Sequence, residues 1–282
     1  MLPLSEKHNI RQLEELNQRG GRMLTVVDLI DAGTLSVEMA AAVMEALAKG
    51  SSLLTGARPG GAGKTTVMAA FLNLMPPDVA IVTVDDPSII QQGLERPPQQ
   101  PVCYLVHEIG AGHWYGYLWG RPVADFFRLA AGPHRIASCL HADTLEELTE
   151  ILVGPPLRVN PSDINRVGIL GFMRMDYSTR GPVKRRLATL YLRSPFVAQS
   201  NRFVYHSASN SFSREPWDSD AVSVNTPQID SGISSQERDG DPVRHNPFCD
   251  FIEHLMKVEA RSLADVREEV LAFYRDRAER LA

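Results

Sequence analysis

Short, nearly continuous apolar runs alternate along this chain with longer stretches in which apolar residues recur at helical spacing. Residues 37–49 show the helical pattern. Met39, Val43, Ala46 and Leu47 share a face, Ser36 stands where an N-cap belongs, and Gly50 stops the helix. Leu53 and Leu54 then predict a strand, and residues 67–75 a helix ended by Pro76 and Pro77. Residues 79–84 (VAIVTV) and 102–106 (VCYLV) are apolar at nearly every position, the mark of strands covered on both faces. Between them, residues 87–101 are polar and proline-rich and predict a loop. Residues 123–131 predict a helix, 135–140 (RIASCL) a strand, and 144–154 a helix closed by Gly154. Strands and helices alternating at this spacing predict an α/β fold: a mostly parallel sheet with helices on both faces.

Beyond Pro161 the pattern changes. Residues 167–176, 185–193 and 201–215 predict antiparallel strands, the last stretch being a hairpin that turns at 207–210. Residues 215–247 are rich in Ser, Asp, Asn and Pro with little apolar periodicity, and predict a mobile linker. The end of the chain gives two amphipathic helices, with Ser262 capping the second. The expected organisation is a helical lead-in over 1–50, an α/β core with a β extension over 51–214, a linker over 215–247 and a helical module over 248–282.

Composition narrows the class. The chain has 282 residues, 44% of them hydrophobic and 22% charged, as in ordinary globular proteins. A net charge of −5 argues against a nucleic-acid coat protein, so no direct nucleic-acid partner is expected. No apolar run approaches the roughly 20 residues that span a bilayer, and the N-terminus lacks a basic-then-apolar secretory pattern. Cys103, Cys139 and Cys249 lie far apart among apolar neighbours and read as buried thiols. The expectation is a cytoplasmic protein.

Candidate chemistry concentrates at the predicted strand ends. Residues 51–66 (SSLLTGARPGGAGKTT) read strand, glycine-rich loop, helix, the context in which G-x-x-x-x-G-K-[ST] cradles phosphate. Gly60, Gly61, Ala62, Gly63, Lys64, Thr65 and Thr66 form the candidate phosphate-binding set. Lys64 would reach the β- and γ-phosphates of ATP, and the Thr65 hydroxyl would ligate Mg²⁺. Arg58 occupies the position of the pattern's first glycine. An NTPase also needs a carboxylate near Mg²⁺ and a group that activates water; Asp85, Asp86 and Glu108 follow apolar strands and are the candidates. Acid pairs before proline also shape turns, which is the plainer account of Asp85-Asp86. His141 ends a strand at the same predicted sheet edge as Glu108. His107, His113, His134 and His141 match no zinc spacing, so no metal but Mg²⁺ is expected. Trp114, Tyr115, Tyr117 and Trp119 suit base stacking, a structural loop or a partner contact alike. Lys184-Arg185-Arg186 and the arginines of the last helix read as solvated faces pairing with acids.

In order along the chain, these boxes resemble the type II/IV secretion ATPase superfamily, and most closely the archaeal motor ATPases of pili, archaella and secretion systems. IVTVDDP resembles the family's acidic box, YLVHEIG its Walker B strand, and CLHADTLEELTEIL its histidine box. The hairpin FVYHSASNSF and the closing helices resemble its C-terminal region. The resemblance implies a RecA-like P-loop core with an appended β-hairpin and C-terminal helical module. It also implies Glu108 as catalytic acid, with Asp86 and His141 supporting, and Asp85 beside Mg²⁺. The implied assembly is a hexameric ring, attached peripherally at the membrane to embedded secretion or pilus platform proteins. His107 stands where the family has glycine, Gly110 stands near its Walker B arginine, and the family's N-terminal domain is expected to be missing. The alternative is a non-motor nucleotide-binding regulator of the same descent.

Overall fold

A strand with parallel neighbours on both sides must bury both of its faces, because the connecting helices cover them. In the computed structural model the strands satisfy that demand residue by residue. It describes residues 2–17, 20–95, 101–177, 182–218 and 246–281. Helices α1 (Leu4–Glu14), α2 (Val26–Asp31) and α3 (Val37–Ala48) lead into β1 (Leu53–Gly56), α4 (Lys64–Leu72), β2 (Ala80–Thr83), α5 (Pro87–Glu95) and β3 (Val102–Leu105). Two short strands, β4 (Glu108–Ile109) and β5 (Tyr117–Leu118), precede α6 (Pro122–Arg128), β6 (Arg135–Leu140), α7 (Leu145–Val153) and α8 (Pro161–Ile164). Then come β7 (Ile169–Asp176), β8 (Lys184–Leu192), β9 (Asn201–His206), β10 (Ser211–Pro216), α9 (Pro247–Lys257) and α10 (Leu263–Leu281).

Among the described residues the strands form one ten-stranded sheet in the order β10-β9-β8-β7-β1-β6-β3-β2, with β4 and β5 beside β6. From β7 to β2 the neighbours are parallel, and from β7 to β10 antiparallel. Alternate residues feed opposite cores. Leu53, Cys103, Leu105, Ala137, Cys139 and Ile169 join the core under α2, α3, α4, α9 and α10. Leu54, Tyr104, Val106, Ile136, Leu140 and Leu170 join the core under α5, α6 and α7. Fully buried Phe71, Phe126, Phe127 and Phe203 each contribute about 1.5–3 kcal/mol, against about 0–1 for a surface ion pair. Packing on the two faces therefore sets the architecture.

Three expectations change. Residues 87–95 are helical, not a loop: the Asp86 carboxylate accepts the Ser88 N–H at 2.8 Å, Pro87 tolerates the first turn, and Ile90 is buried. β7 is not purely antiparallel, because it pairs parallel with β1 and carries the β extension into the central sheet. Glu215 and Pro216 pair within β10 and Pro247 opens α9, while residues 219–245 of the expected linker lie outside the described residues.

The last helix is tied to the first by a buried charge pair. Arg267 on α10 donates from Nε and Nη2 to both Glu6 oxygens, at 2.7 and 2.9 Å, and also to the Met75 carbonyl beyond the end of α4. Both side chains are nearly sealed, at 4% and 6% exposed, so this arginine is not the solvated cation its position suggests. Removing one partner leaves a buried charge alone, which costs about 3–5 kcal/mol. Arg267→Ala is therefore expected to lower the urea midpoint by that equivalent, with a smaller loss in the Arg267→Met, Glu6→Met double variant. Equal midpoints for wild type and Arg267→Ala would contradict this.

Candidate functional site

The parallel registers bring the polar strand ends together. Gly56 of β1 lies opposite Leu140 of β6, and Ile109 of β4 pairs with the same Leu140. The loop after β1, Glu108 and His141 consequently meet along one edge, at the carboxyl ends of the strands where α/β sheets bind ligands. They border a cavity of about 760 Å³.

The loop is shaped for anions. Gly63 caps α4 at φ +98°, a left-handed conformation that a side chain resists, and Gly61 is at φ +80°. α4 therefore starts with free N–H groups and its positive dipole end at the cavity. Lys64 is buried, at 6% exposed, and its Nζ donates to the Ala57 carbonyl at 3.1 Å. Arg185 closes the loop from β8, its Nε donating to the Gly61 carbonyl at 2.8 Å. Lys64, Lys184 and Arg185 give this rim three cations, complementary to a polyphosphate. Arg185 is exposed, as expected of a solvated face, but its partner is this carbonyl and not an acid. Arg186, beside it, departs further: it is buried under the Tyr205 ring and donates to the Ala32 carbonyl and to Asn210.

Opposite the loop, Glu108 Oε1 lies 3.1 Å from His141 Nε2. Burial, with the charge of the nearby Glu108 adding, pushes the Tyr117 hydroxyl up to about 12, so it stays protonated. Beneath them the Cys139 thiol donates to the His107 carbonyl at 2.8 Å and sits 3.7 Å from the Thr65 hydroxyl. Burial, with the charge of Glu108 adding, pushes that thiol up to about 12, so it is inert packing. Among the described residues no three acidic, Cys or His side chains form a metal cage. The donors beside the loop are the Thr65 hydroxyl and the Glu108 carboxylate. Such a sparse set suits Mg²⁺, which keeps waters and shares phosphate oxygens.

Asp85 and Asp86 are not brought to this cavity. They follow β2, separated from β1 by β6 and β3, or about 14 Å at ordinary strand spacing. Hydrogen bonds from the Ser88 hydroxyl and N–H hold the exposed Asp86 carboxyl below its usual range. Of the four aromatics of the β4–β5 region, Tyr117 turns inward, while Trp114, Tyr115 and Trp119 are exposed.

Neither a family model nor a curated protein matches this chain. Among solved structures it is similar to the X-ray structure of the Legionella pneumophila ATPase DotB, at 11% identity and a TM-score of 0.35. The match covers 60% of this chain and 50% of that one, so the chain spans about half the length of this solved relative. So slight a likeness assigns no family. Among the described residues no helix is long and apolar enough to cross a membrane.

Sequence reading passed over Tyr117 as a neighbour of Glu108, Cys139 as the floor and Arg185 as the loop clamp, since each depends on pairing between distant strands. His107 is likewise sealed, at 3% exposed, with no partner for either ring nitrogen among the described residues. Gly116, at φ +72°, lets the backbone pass where an added Cβ would lie 2.6 Å from the His107 ring. Burial holds His107 down at about 4, against about 6.5 in an unfolded chain. The unfolded state thus binds the extra proton first, so this contribution is whole above pH 6.5 and lost as pH falls to about 4. Unfolding midpoints at pH 7, 5.5 and 4 are expected to drop more steeply for wild type than for His107→Phe. Parallel pH profiles would refute a buried neutral His107.

Proposed function

We propose that this chain binds ATP in the loop cavity and hydrolyses it with Mg²⁺, as the core of a RecA-like motor resembling the type II/IV secretion ATPases. One observation carries the reading: a phosphate-loop helix start, with Lys64, shares a cavity with a Glu108–His141 pair 3.1 Å apart. The order of the parallel strands supports it, because β6 with His141 lies between β1 with the loop and β3, which leads to Glu108.

Loop N–H groups and the Lys64 ammonium would hold the phosphates, pre-aimed at the charge that develops in phosphoryl transfer. The Thr65 hydroxyl, with Glu108 nearby, would hold Mg²⁺, which would supply neutralisation of phosphate charge. Glu108 would accept a proton from the attacking water while His141 orients the carboxylate. Asp85 and Asp86 stay outside this step unless the β2 end moves inward. The motor role, the hexameric ring and membrane-embedded secretion or pilus platform partners belong to the proposal and follow from the resemblance alone; so does peripheral attachment at the membrane.

A second reading, a nucleotide-binding regulator, is favoured by one feature: the Glu108 carboxylate is already engaged by His141. Hydrolysis rates separate the two. Wild type is expected to turn over ATP, and Glu108→Gln to bind it equally but lose about 10²-fold or more in kcat, the worth of a general base. Matching rates for the two proteins would remove Glu108 from the chemistry, and ATP binding without wild-type turnover would favour the regulator.

A further inference from the structure

Arg58 stands where a phosphate-loop pattern has glycine, and all three of its polar groups are engaged by the turn that carries His141. Its N–H donates to Asp143 Oδ1 at 2.7 Å, its guanidinium pairs with Glu147 Oε1, and its carbonyl accepts from His141 Nδ1 at 2.7 Å. Glu147 is itself anchored at the start of α7. Its other oxygen accepts the Asp143 N–H at 2.7 Å, and its own N–H donates to Thr144 Oγ1 at 3.2 Å. We infer that Arg58 is a positioning residue: by clasping the β6–α7 turn, it keeps a hydrogen on Nδ1 of His141 and sets which edge of the ring meets Glu108.

A carbonyl oxygen only accepts, so Nδ1 of His141 carries a hydrogen. Nε2 is then the nitrogen facing Glu108 Oε1 at 3.1 Å, and that contact is a hydrogen bond only with a proton between them. Were Nε2 bare, its lone pair would face the Glu108 carboxylate, so the ring that serves both acceptors carries a hydrogen on each nitrogen. The register alone does not secure it. Gly56 opposite Leu140 brings residue 58 beside His141, but the guanidinium–Glu147 pair and the N–H–Asp143 bond hold the carbonyl in place. With its side chain 69% exposed, the Arg58 pair adds little to global stability, so variants at 58 are expected to fold. The geometric part of this inference stands without nucleotide; its effect on turnover rests on the hydrolytic reading above.

Two measurements on the full chain test it. Ring-nitrogen NMR, with the His141 signals assigned by their loss in His141→Gln, reads protonation directly without ATP. Wild type is expected to show a protonated Nδ1, Arg58→Gly and Glu147→Gln an exchange-averaged ring, and Arg58→Lys a largely wild-type one. Steady-state ATP hydrolysis is expected to show kcat about tenfold lower in Arg58→Gly and Glu147→Gln, with KM little changed and kcat mostly recovered in Arg58→Lys. An unprotonated Nδ1 in wild type, or an Arg58→Gly ring spectrum like wild type, overturns the inference. An unchanged kcat beside an altered ring confines Arg58 to structure and overturns its role in turnover. If wild type itself does not hydrolyse ATP, the hydrolytic reading fails, and the NMR result still decides the clasp.

Discussion

The register of β6 against β1 and β4 is the constraint on which the candidate site depends. Gly56 and Ile109 both meet Leu140, so the glycine-rich loop, His141 and Glu108 leave their strands at one level. A slip of a single residue would turn Leu54 and Leu140 out of one core and Leu53 and Cys139 out of the other. Packing on two faces thus fixes the register, and the register brings the candidate site residues together. Within that frame, the Arg58 clasp then sets the orientation of the His141 ring.

The same logic explains why arginines expected on a solvated face reach backbone carbonyls. Arg185, Arg186 and Arg267 each satisfy a backbone carbonyl from a distant element: the loop, the α2 end and the α4 end respectively. Guanidinium groups suit that task, because several fixed donors can serve carbonyls that turns leave unpaired. They brace the loop from β8, the lead-in helices from the same strand, and the far end of α4 from α10. The helix that starts at Lys64 is therefore held at both ends.

Much of this was legible in the chain, and the rest was hidden for definite reasons. The loop reads directly because its glycines, Lys64 and Thr65 are contiguous, and the strands read because both faces are apolar. Glu108 and His141 could be placed at strand ends, but their 3.1 Å contact depends on a register no local pattern encodes. α5 was obscured by the prolines at 97, 98 and 101, although the Asp86 cap and the spacing of Ile90 and Leu94 were present. The run Lys184-Arg185-Arg186 reads as a wet surface. Arg186 is buried only because Tyr205 and Asn210, on another hairpin, fold over it. The aromatic stretch hid Tyr117 among neighbours that face solvent. Arg58 looked like a defect in a pattern, and its partners lie more than eighty residues away.

The central claim is that the loop cavity is a nucleotide polyphosphate site, and calorimetric titration with ATP and Mg²⁺ tests it most directly. Wild type should bind one ATP per chain, and Lys64→Ala should lose that binding while keeping the wild-type unfolding midpoint without ligand. Undiminished binding by Lys64→Ala, or no heat of binding from folded wild type, would contradict the account.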